Sequence, residues 1–376
     1  MQFAIVGCGF VADLYMRTLK MHSDLQLAGV YDHDPERLRA FSAFHGVRAF
    51  GSLAELLEQP NVPLVANLTN PSSHFEVSKA CLLAGKHVYS EKPLAMSYAH
   101  ALELVELSEA RNLELSSAPC SLLSESAQTL GKALRENRVG KLRAVYAEMD
   151  DGLVHLMPYR KWKSDSGSPW PYIDEFKVGC TLEHAGYSLT WLAGFFGPAK
   201  AVTAFASLQV PNKADDLSPE ETGPDLSVAC IEYESGLVAR LTCSLIAPHD
   251  HEFRVFGDEG VLWTPDTWLY RSPVYVRKFI KIRRRMLLNP LRKRLKMQGT
   301  HLPEPDYRGA SKMDFCRGLQ DMADAITNHR SSRLSARFSL HVTEMSLAIH
   351  AARVGGAHRT EMKSTFRIPE PMSWVR

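Results

Sequence analysis

The chain has 376 residues, 45% apolar and 23% charged, with a formal net charge of +2. This is the composition of an ordinary soluble globular protein, long enough for two domains with sizeable cores. No run approaches eighteen apolar residues, no basic leader with a cleavage site opens the chain, and the seven scattered cysteines form no CxxC pair. A transmembrane helix, a secretory leader, a disulfide framework and a metal site are therefore not expected, and a cytoplasmic protein with reduced thiols is.

The charge is unevenly spread. Residues 277–296, RKFIKIRRRMLLNPLRKRLK, hold ten basic residues and no acidic one, against 34 basic and 42 acidic elsewhere. So local an excess does not predict a nucleic-acid partner.

In chain order, QFAIV at 2–6 predicts a buried parallel strand and GCGFVA follows at 7–12. Val11, Leu14, Tyr15 and Leu19 recur at helical spacing, and LQLAGVY at 25–31 predicts a second strand ending at Asp32. A lone GxGxxA is weak evidence, but here it follows a strand, opens a helix and precedes an acid after a second strand. Gly7 permits the tight turn, Gly9 lets a pyrophosphate approach the backbone, and Ala12 lets helix and strand pack closely. Phe10 and Val11 open the helix, whose N-terminus favours negative charge. Asp32 can accept hydrogen bonds from the adenosine ribose and would repel a 2′-phosphate. NAD is thus the expected cofactor.

The alternation continues with a helix at 53–58, a strand at 62–68, a helix closed by Gly85, a strand at 87–90, a helix at 97–111 and a strand at 113–118. Repeated βα units predict an α/β fold with a parallel, doubly wound sheet, whose ligands bind beyond the carboxyl ends of the strands. The loops bearing Thr69, Asn70 and His74, and then Glu91 and Lys92, lie at such ends and complete the expected cofactor contacts.

After residue 120 the pattern changes. A helix at 124–137 precedes strand-like runs at 142–149, 199–210, 226–234, 236–246 and 251–257 joined by short turns, which predict a largely antiparallel open sheet. Helices return at 312–329 and 338–354. The expected organisation is a dinucleotide-binding domain over 1–120 and a substrate and oligomerisation domain over 121–376. A bare sheet face would be covered by a second copy, in a dimer or tetramer. The basic stretch, with its interleaved Phe279, Ile280, Ile282, Met286, Leu287, Leu288, Leu291 and Leu295, reads as an amphipathic helical insertion over about 277–299, split by Pro290. Its expected roles are a solvated or oligomer contact, weak contact with an anionic membrane surface, or binding of a nucleotide sugar's phosphates.

GCGFVA, the NPSSH loop, GKHVYSEKPLA at 85–95 and the C-terminal sheet together resemble the glucose–fructose oxidoreductase/inositol dehydrogenase (Gfo/Idh/MocA) family. The resemblance spans nearly the whole chain. It implies an NAD(P)-dependent dehydrogenase acting on a secondary hydroxyl of a sugar, nucleotide sugar or cyclitol. It also implies that Lys92 binds that hydroxyl and shares in proton transfer, and that the peptide before Pro93 is often cis. Independently, an ammonium beside the reacting oxygen stabilises alkoxide charge, and a desolvated lysine can act as a base.

The family pattern GG-x-x-x-D-x-G-x-H, laid on 179–188, puts His184 at the Asp position, Ser188 at the His position and Cys180 at the second glycine, so the usual acid/base pair is replaced. Helical spacing pairs His184 with Ser188 and Glu183 with Tyr187. The expectation is that His184 and Lys92 flank the reacting hydroxyl, with Tyr187 binding a substrate oxygen. Asp151, Arg160, Trp162, Glu183 and Ser188 complete the expected substrate contacts; the aromatic and carboxylate groups of 170–175 suit a sugar. A redox-assisted lyase or glycosidase that recycles NAD within one turnover, and a non-catalytic ligand-binding protein of the same fold, stay open as alternatives.

Overall fold

The computed structural model describes residues 1–299 and 312–375. The chain forms two compact units. The first comprises Met1–Cys120, Leu156–Glu175 and Asp314–Leu347, and the second comprises Ser121–His155, Phe176–Met313 and Ala348–Arg376.

The first unit is built on five parallel strands: β1 (Gln2–Val6), β2 (Gln26–Tyr31), β3 (Leu64–Asn67), β4 (His87–Ser90) and β5 (Leu115–Ser117), in the order β2-β1-β3-β4-β5. These strands are largely apolar on both faces because both faces are covered. Ala4, Val6, Val65 and Val88 enter one core, while Phe3, Ile5, Leu64, Ala66 and Tyr89 enter the other. The helices between strands start at side-chain caps where the sequence offers them. Asp34 accepts the N–H groups of Glu36 and Arg37, and Ser97 accepts that of His100.

The two consecutive spans expected from the sequence are interrupted. Leu156–Glu175 joins the first unit because Arg17 clasps Asp165 through two bonds of 2.6 Å and Ser166 Oγ donates to Asp13 at 2.7 Å. The helix Arg317–Thr327 joins it by sinking Leu319, Met322 and Ala323 into the Phe3–Ile5 core.

The second unit contains β6 (Leu142–Asp150), β7 (Ala199–Ser207), β8 (Leu226–Tyr233), β9 (Val238–Ser244), β10 (Phe253–Gly257), β11 (Gly260–Thr264), β12 (Tyr275–Ile282), β13 (Arg285–Leu288), β14 (Lys293–Arg294) and β15 (His358–Glu361). They form one sheet in the order β13-β12-β11-β10-β6-β9-β8-β7-β15, with β14 beside β12. The sheet is antiparallel except for the parallel pair β6–β9. Alternate residues such as Val145, Ala147, Ile231, Leu241 and Val255 are buried. Trp191 and Phe195 of the helix Gly186–Phe196 pack on Phe253. Tyr146, Phe205 and Val238 are exposed on their strands.

The basic stretch is not a helix. Residues 275–288 form a hairpin, β12–β13, whose two-residue turn at Arg283–Arg284 places Arg283 at φ 54°. Strand pairing extends the sheet and meets the backbone hydrogen-bonding need that an isolated split helix would leave to its own ends. No helix among the described residues is long and apolar enough to cross a membrane.

Candidate functional site

The first unit presents a dinucleotide cradle at neighbouring strand ends. Gly7 sits at φ +99°, and a Cβ there would lie 2.6 Å from the Leu68 carbonyl, so only glycine fits between β1 and β3. A Cβ on Gly9 would meet nothing within 4 Å, and no side chain caps the helix Phe10–Leu19 that begins after it. That open, uncapped N-terminus is the space and the donor set that a pyrophosphate requires. Ala12, in the first turn of that helix, is fully buried.

Asp32 closes the same turn. Its Oδ2 accepts the Cys8 N–H at 2.8 Å, its Oδ1 accepts that of Asp34 at 2.8 Å, and the Arg37 guanidinium stands 3.4 Å away. The residues present therefore fit NAD, with Asp32 fixed at the strand end where a ribose would lie.

The next two loops are fastened to each other. Asn67, at the end of β3, receives the Thr69 hydroxyl at 2.6 Å and donates to the carbonyl of His74 at 3.1 Å. The His74 ring spans the carbonyls of Pro93 (2.7 Å) and Thr69 (2.9 Å). His74 is fully buried, so it staples the loops where a direct cofactor contact was expected. Burial also depresses its pKa below the ordinary histidine value, against partial support from the two carbonyls. The Asn70 amide donates to Asp174 at 2.6 Å, within the segment Leu156–Glu175.

At the end of β4, Glu91 is buried and accepts the Tyr15 hydroxyl at 2.7 Å and the Lys92 N–H at 3.2 Å. Burial and the adjacent Glu91 charge push the Tyr15 phenol far above its ordinary pKa, so it remains a donor. Lys92 is half-buried between Glu91 and Pro93, and the Lys92–Pro93 peptide is cis. Arg160 and Trp162 also belong to the first unit. Arg160 donates to the Tyr172 hydroxyl at 2.6 Å, and the Trp162 and Trp170 rings lie 5.0 Å apart.

The second unit gathers a different cluster. Gly179 (φ +75°) packs its backbone against Pro224, and the Cys180 N–H donates to the Pro224 carbonyl at 2.8 Å. From that anchor the chain enters a π-helical turn, Thr181–Ala185, before the α-helix Gly186–Phe196. The regular i,i+4 pairing expected for this stretch is thus broken at its start. Glu183 is buried, and Ser188 is fully buried with an Oγ that finds no protein partner among the described residues, so Ser188 is not presented as a substrate contact. His184 remains partly open, its Nε2 3.4 Å from Asp151 at the end of β6. Trp268 packs against both His184 (5.7 Å) and Tyr187 (5.1 Å).

Sequence reasoning missed His249, His251, Asp266 and Trp268. The His249 and His251 rings lie 4.0 Å apart, and His251 packs on Trp268 at 4.3 Å. The available signal was PHDHE at 248–252, two histidines bracketing an acid, which reads as a plain turn.

Two family models match. One described as oxidoreductase family, NAD-binding Rossmann fold, covers residues 1–118, and the GFO/IDH/MocA C-terminal domain covers residues 127–263. Bovine trans-1,2-dihydrobenzene-1,2-diol dehydrogenase is 26% identical over 70% of this chain and 76% of its own length. Among solved structures, UDP-N-acetylglucosamine 3-dehydrogenase from Acidithiobacillus ferrooxidans superposes with a TM-score of 0.69 at 21% identity, covering 94% of this chain and 97% of that one. A Bordetella pertussis dehydrogenase in complex with NADH and UDP-GlcNAcA gives 0.70 at 18% identity, covering 96% and 98%. These two likenesses establish the fold.

Proposed function

The chain belongs to the GFO/IDH/MocA oxidoreductase family, and on that premise we propose that it transfers hydride between NAD and a secondary hydroxyl of a sugar, nucleotide sugar or cyclitol, with NAD preferred over NADP. The observation that carries this reading is the position of Lys92. It follows β4 in a sheet where β1, β3 and β4 are consecutive neighbours, so its backbone shares a sheet edge with the Gly7–Ala12 turn, which supports a role for its side chain beside the nicotinamide. The Gly7–Ala12 turn and Asp32 would hold NAD, which would supply the hydride acceptor for the carbinol carbon. Lys92 in its neutral amine form accepts the hydroxyl proton as the hydride leaves, the ammonium so formed stabilises the charge left on oxygen, and the proton then passes to water. Glu91 and the buried Pro93 hold the lysine backbone in place.

In the second unit, His184 is the proposed additional proton acceptor, with Asp151 beside it to stabilise the imidazolium. Arg160, Trp162, Trp170 and Tyr172 supply flat apolar faces with polar edges, the chemistry of a sugar ring. The dihydrodiol named for the bovine relative is also a ring bearing vicinal secondary hydroxyls, which keeps that class in the test. The exposed Tyr146, Phe205 and Val238 support self-association through the open sheet face, to be read by light scattering.

The test is a panel of ring alcohols, nucleotide sugars, cyclitols and trans-dihydrodiols, followed by nicotinamide absorbance with NAD and NADP. Net NADH formation with one class, lost in Lys92→Ala, is the expected result. Bond cleavage without net NADH would replace the reading with a redox-assisted lyase. Absence of hydride transfer from any of the panel would remove it. A His184→Ala variant with full turnover would remove His184 from the mechanism.

A further inference from the structure

The geometry points to a divalent transition-metal site in the second unit, with Asp151, His249 and His251 as protein ligands. One donor atom from each lies within 4.8 Å of the other two. The residues come from the end of β6 and from the turn before β10, so the sheet itself brings them together.

His251 is the strongest indication. Its side chain is fully buried, yet neither ring nitrogen has a hydrogen-bond partner among the described residues. Buried polar groups nearly always find close partners, and this imidazole has only carboxylates at longer range, a gap that an ion would fill. Both nitrogens nevertheless face carboxylates. Nε2 is 3.8 Å from Asp151 Oδ1, and Nδ1 is 3.8 Å from Asp266 Oδ1. An ion bound between Nε2 and Asp151 uses the first nitrogen and leaves Nδ1–H directed at Asp266. That is the carboxylate–histidine–metal arrangement in which an outer carboxylate fixes the tautomer. Asp266 is itself held, because its Oδ1 accepts the N–H groups of Trp268 (2.7 Å) and Leu269 (3.1 Å).

His249 supplies the adaptable ligand. Its side chain is 55% exposed, and its Nε2 is 3.5 Å from Asp266 Oδ2. A tetrahedral ion with bonds of about 2.1 Å sets its donors roughly 3.4 Å apart. A small swing of this exposed ring closes the present spacing without moving the sheet.

Two imidazoles and one carboxylate suit zinc or a neighbouring transition metal; magnesium and calcium take oxygen ligands. Three protein ligands leave a coordination position for water or a substrate oxygen. Asp151 also stands 3.4 Å from His184, so the ion would share its carboxylate with that histidine.

The inference does not depend on the oxidoreductase reading, because ion uptake is measured without turnover. Tag-free protein stripped with chelator is titrated with Zn²⁺ and with Mg²⁺ by calorimetry, with metal content measured after gel filtration and Co²⁺ used as a spectroscopic probe. Expected are retention of a single Zn²⁺ per chain, no comparable Mg²⁺ binding, and ligand-field bands of histidine-bound Co²⁺. His249→Ala changes an exposed side chain and should leave the circular dichroism unchanged while weakening Zn²⁺ binding about tenfold or more. Asp151→Asn should weaken it similarly. Failure of the wild-type protein to retain Zn²⁺, or equal retention by both folded variants, would overturn the site.

Discussion

The Asp32 carboxylate holds the backbone N–H of Cys8 at 2.8 Å, tying the end of β2 to the glycine turn after β1. This one buried side chain therefore shapes the cradle, and in the proposed function it also meets the adenosine ribose. Asp32→Ala should raise the dissociation constant for NAD about 10- to 100-fold, the scale of losing a charge-assisted hydrogen bond. It should also narrow the preference over NADP, since it removes repulsion of a 2′-phosphate while Arg37 stays nearby. Fluorescence titration with both cofactors reads the two effects; an unchanged NADP/NAD ratio would count against Asp32 as the discriminator.

In the proposed function Lys92 serves the chemical step more than cofactor binding, and it is half-buried at the end of β4. The hydrogen bonds that Asp32 makes across the Gly7–Asp32 turn go to the backbone of Cys8 and Asp34. Lys92→Ala should lower kcat/KM by about 10²- to 10⁴-fold while NAD affinity changes only a few-fold. Lys92→Arg keeps the charge and loses the proton-transfer capacity, so it should restore substrate affinity better than turnover. Equal losses in both variants' NAD affinity would mean that Lys92 supports the fold instead.

The parallel sheet and the glycine turn were legible because their signals are local. Continuous apolar runs such as QFAIV, and a GxGxxA between strand and helix, each report on a few adjacent residues. The β12–β13 hairpin was not legible. Its turn is Arg283–Arg284, without the Asn or Gly that normally mark a two-residue turn, and its mixed basic and apolar residues fit a helix as readily as a strand. The cluster around His251 was hidden for another reason. Asp151 and His251 are a hundred positions apart in sequence and meet only because β10 pairs with β6. In the stretch after Gly179, the helix was readable, but the π turn that separates partly open His184 from buried Ser188 was not.

Asp314 provides a pH test of the first unit. It is buried with His22 Nε2 at 2.9 Å and Arg317 Nε at 3.1 Å. Burial alone would raise its pKa, but the His22 hydrogen bond and the Arg317 charge outweigh it and hold the carboxyl below its ordinary value of 3.8. A depressed carboxylate contributes stability that is complete above the unfolded-state value and is lost as pH falls through the lower folded value. Asp314→Ala should therefore cost about 3–5 kcal/mol near neutrality, by stranding the buried Arg317 and His22. The gap between wild type and variant in urea midpoint should shrink below pH 3.8. A gap that stays constant on acidification would show that the loss is one of packing alone.

Gly179 controls the entry to the π turn. Its φ of +75° disfavours any side chain, and a Cβ there would lie 2.5 Å from the Pro224 carbonyl oxygen, a rigid backbone atom. Gly236 offers the control, since it has a similar φ of +79° but open space around its missing Cβ. Gly236→Ala should cost only the left-handed backbone penalty, about 1–2 kcal/mol. Gly179→Ala should cost more, about 3 kcal/mol or above, because the Cys180–Pro224 hydrogen bond must give way as well. That displacement carries into Thr181–Ala185 and hence into His184, so turnover should fall further than thermal stability alone explains. Melting temperatures of both variants, with kcat measured well below them, test the argument. Equal costs at the two glycines would mean that the Pro224 contact does not set the position of the turn.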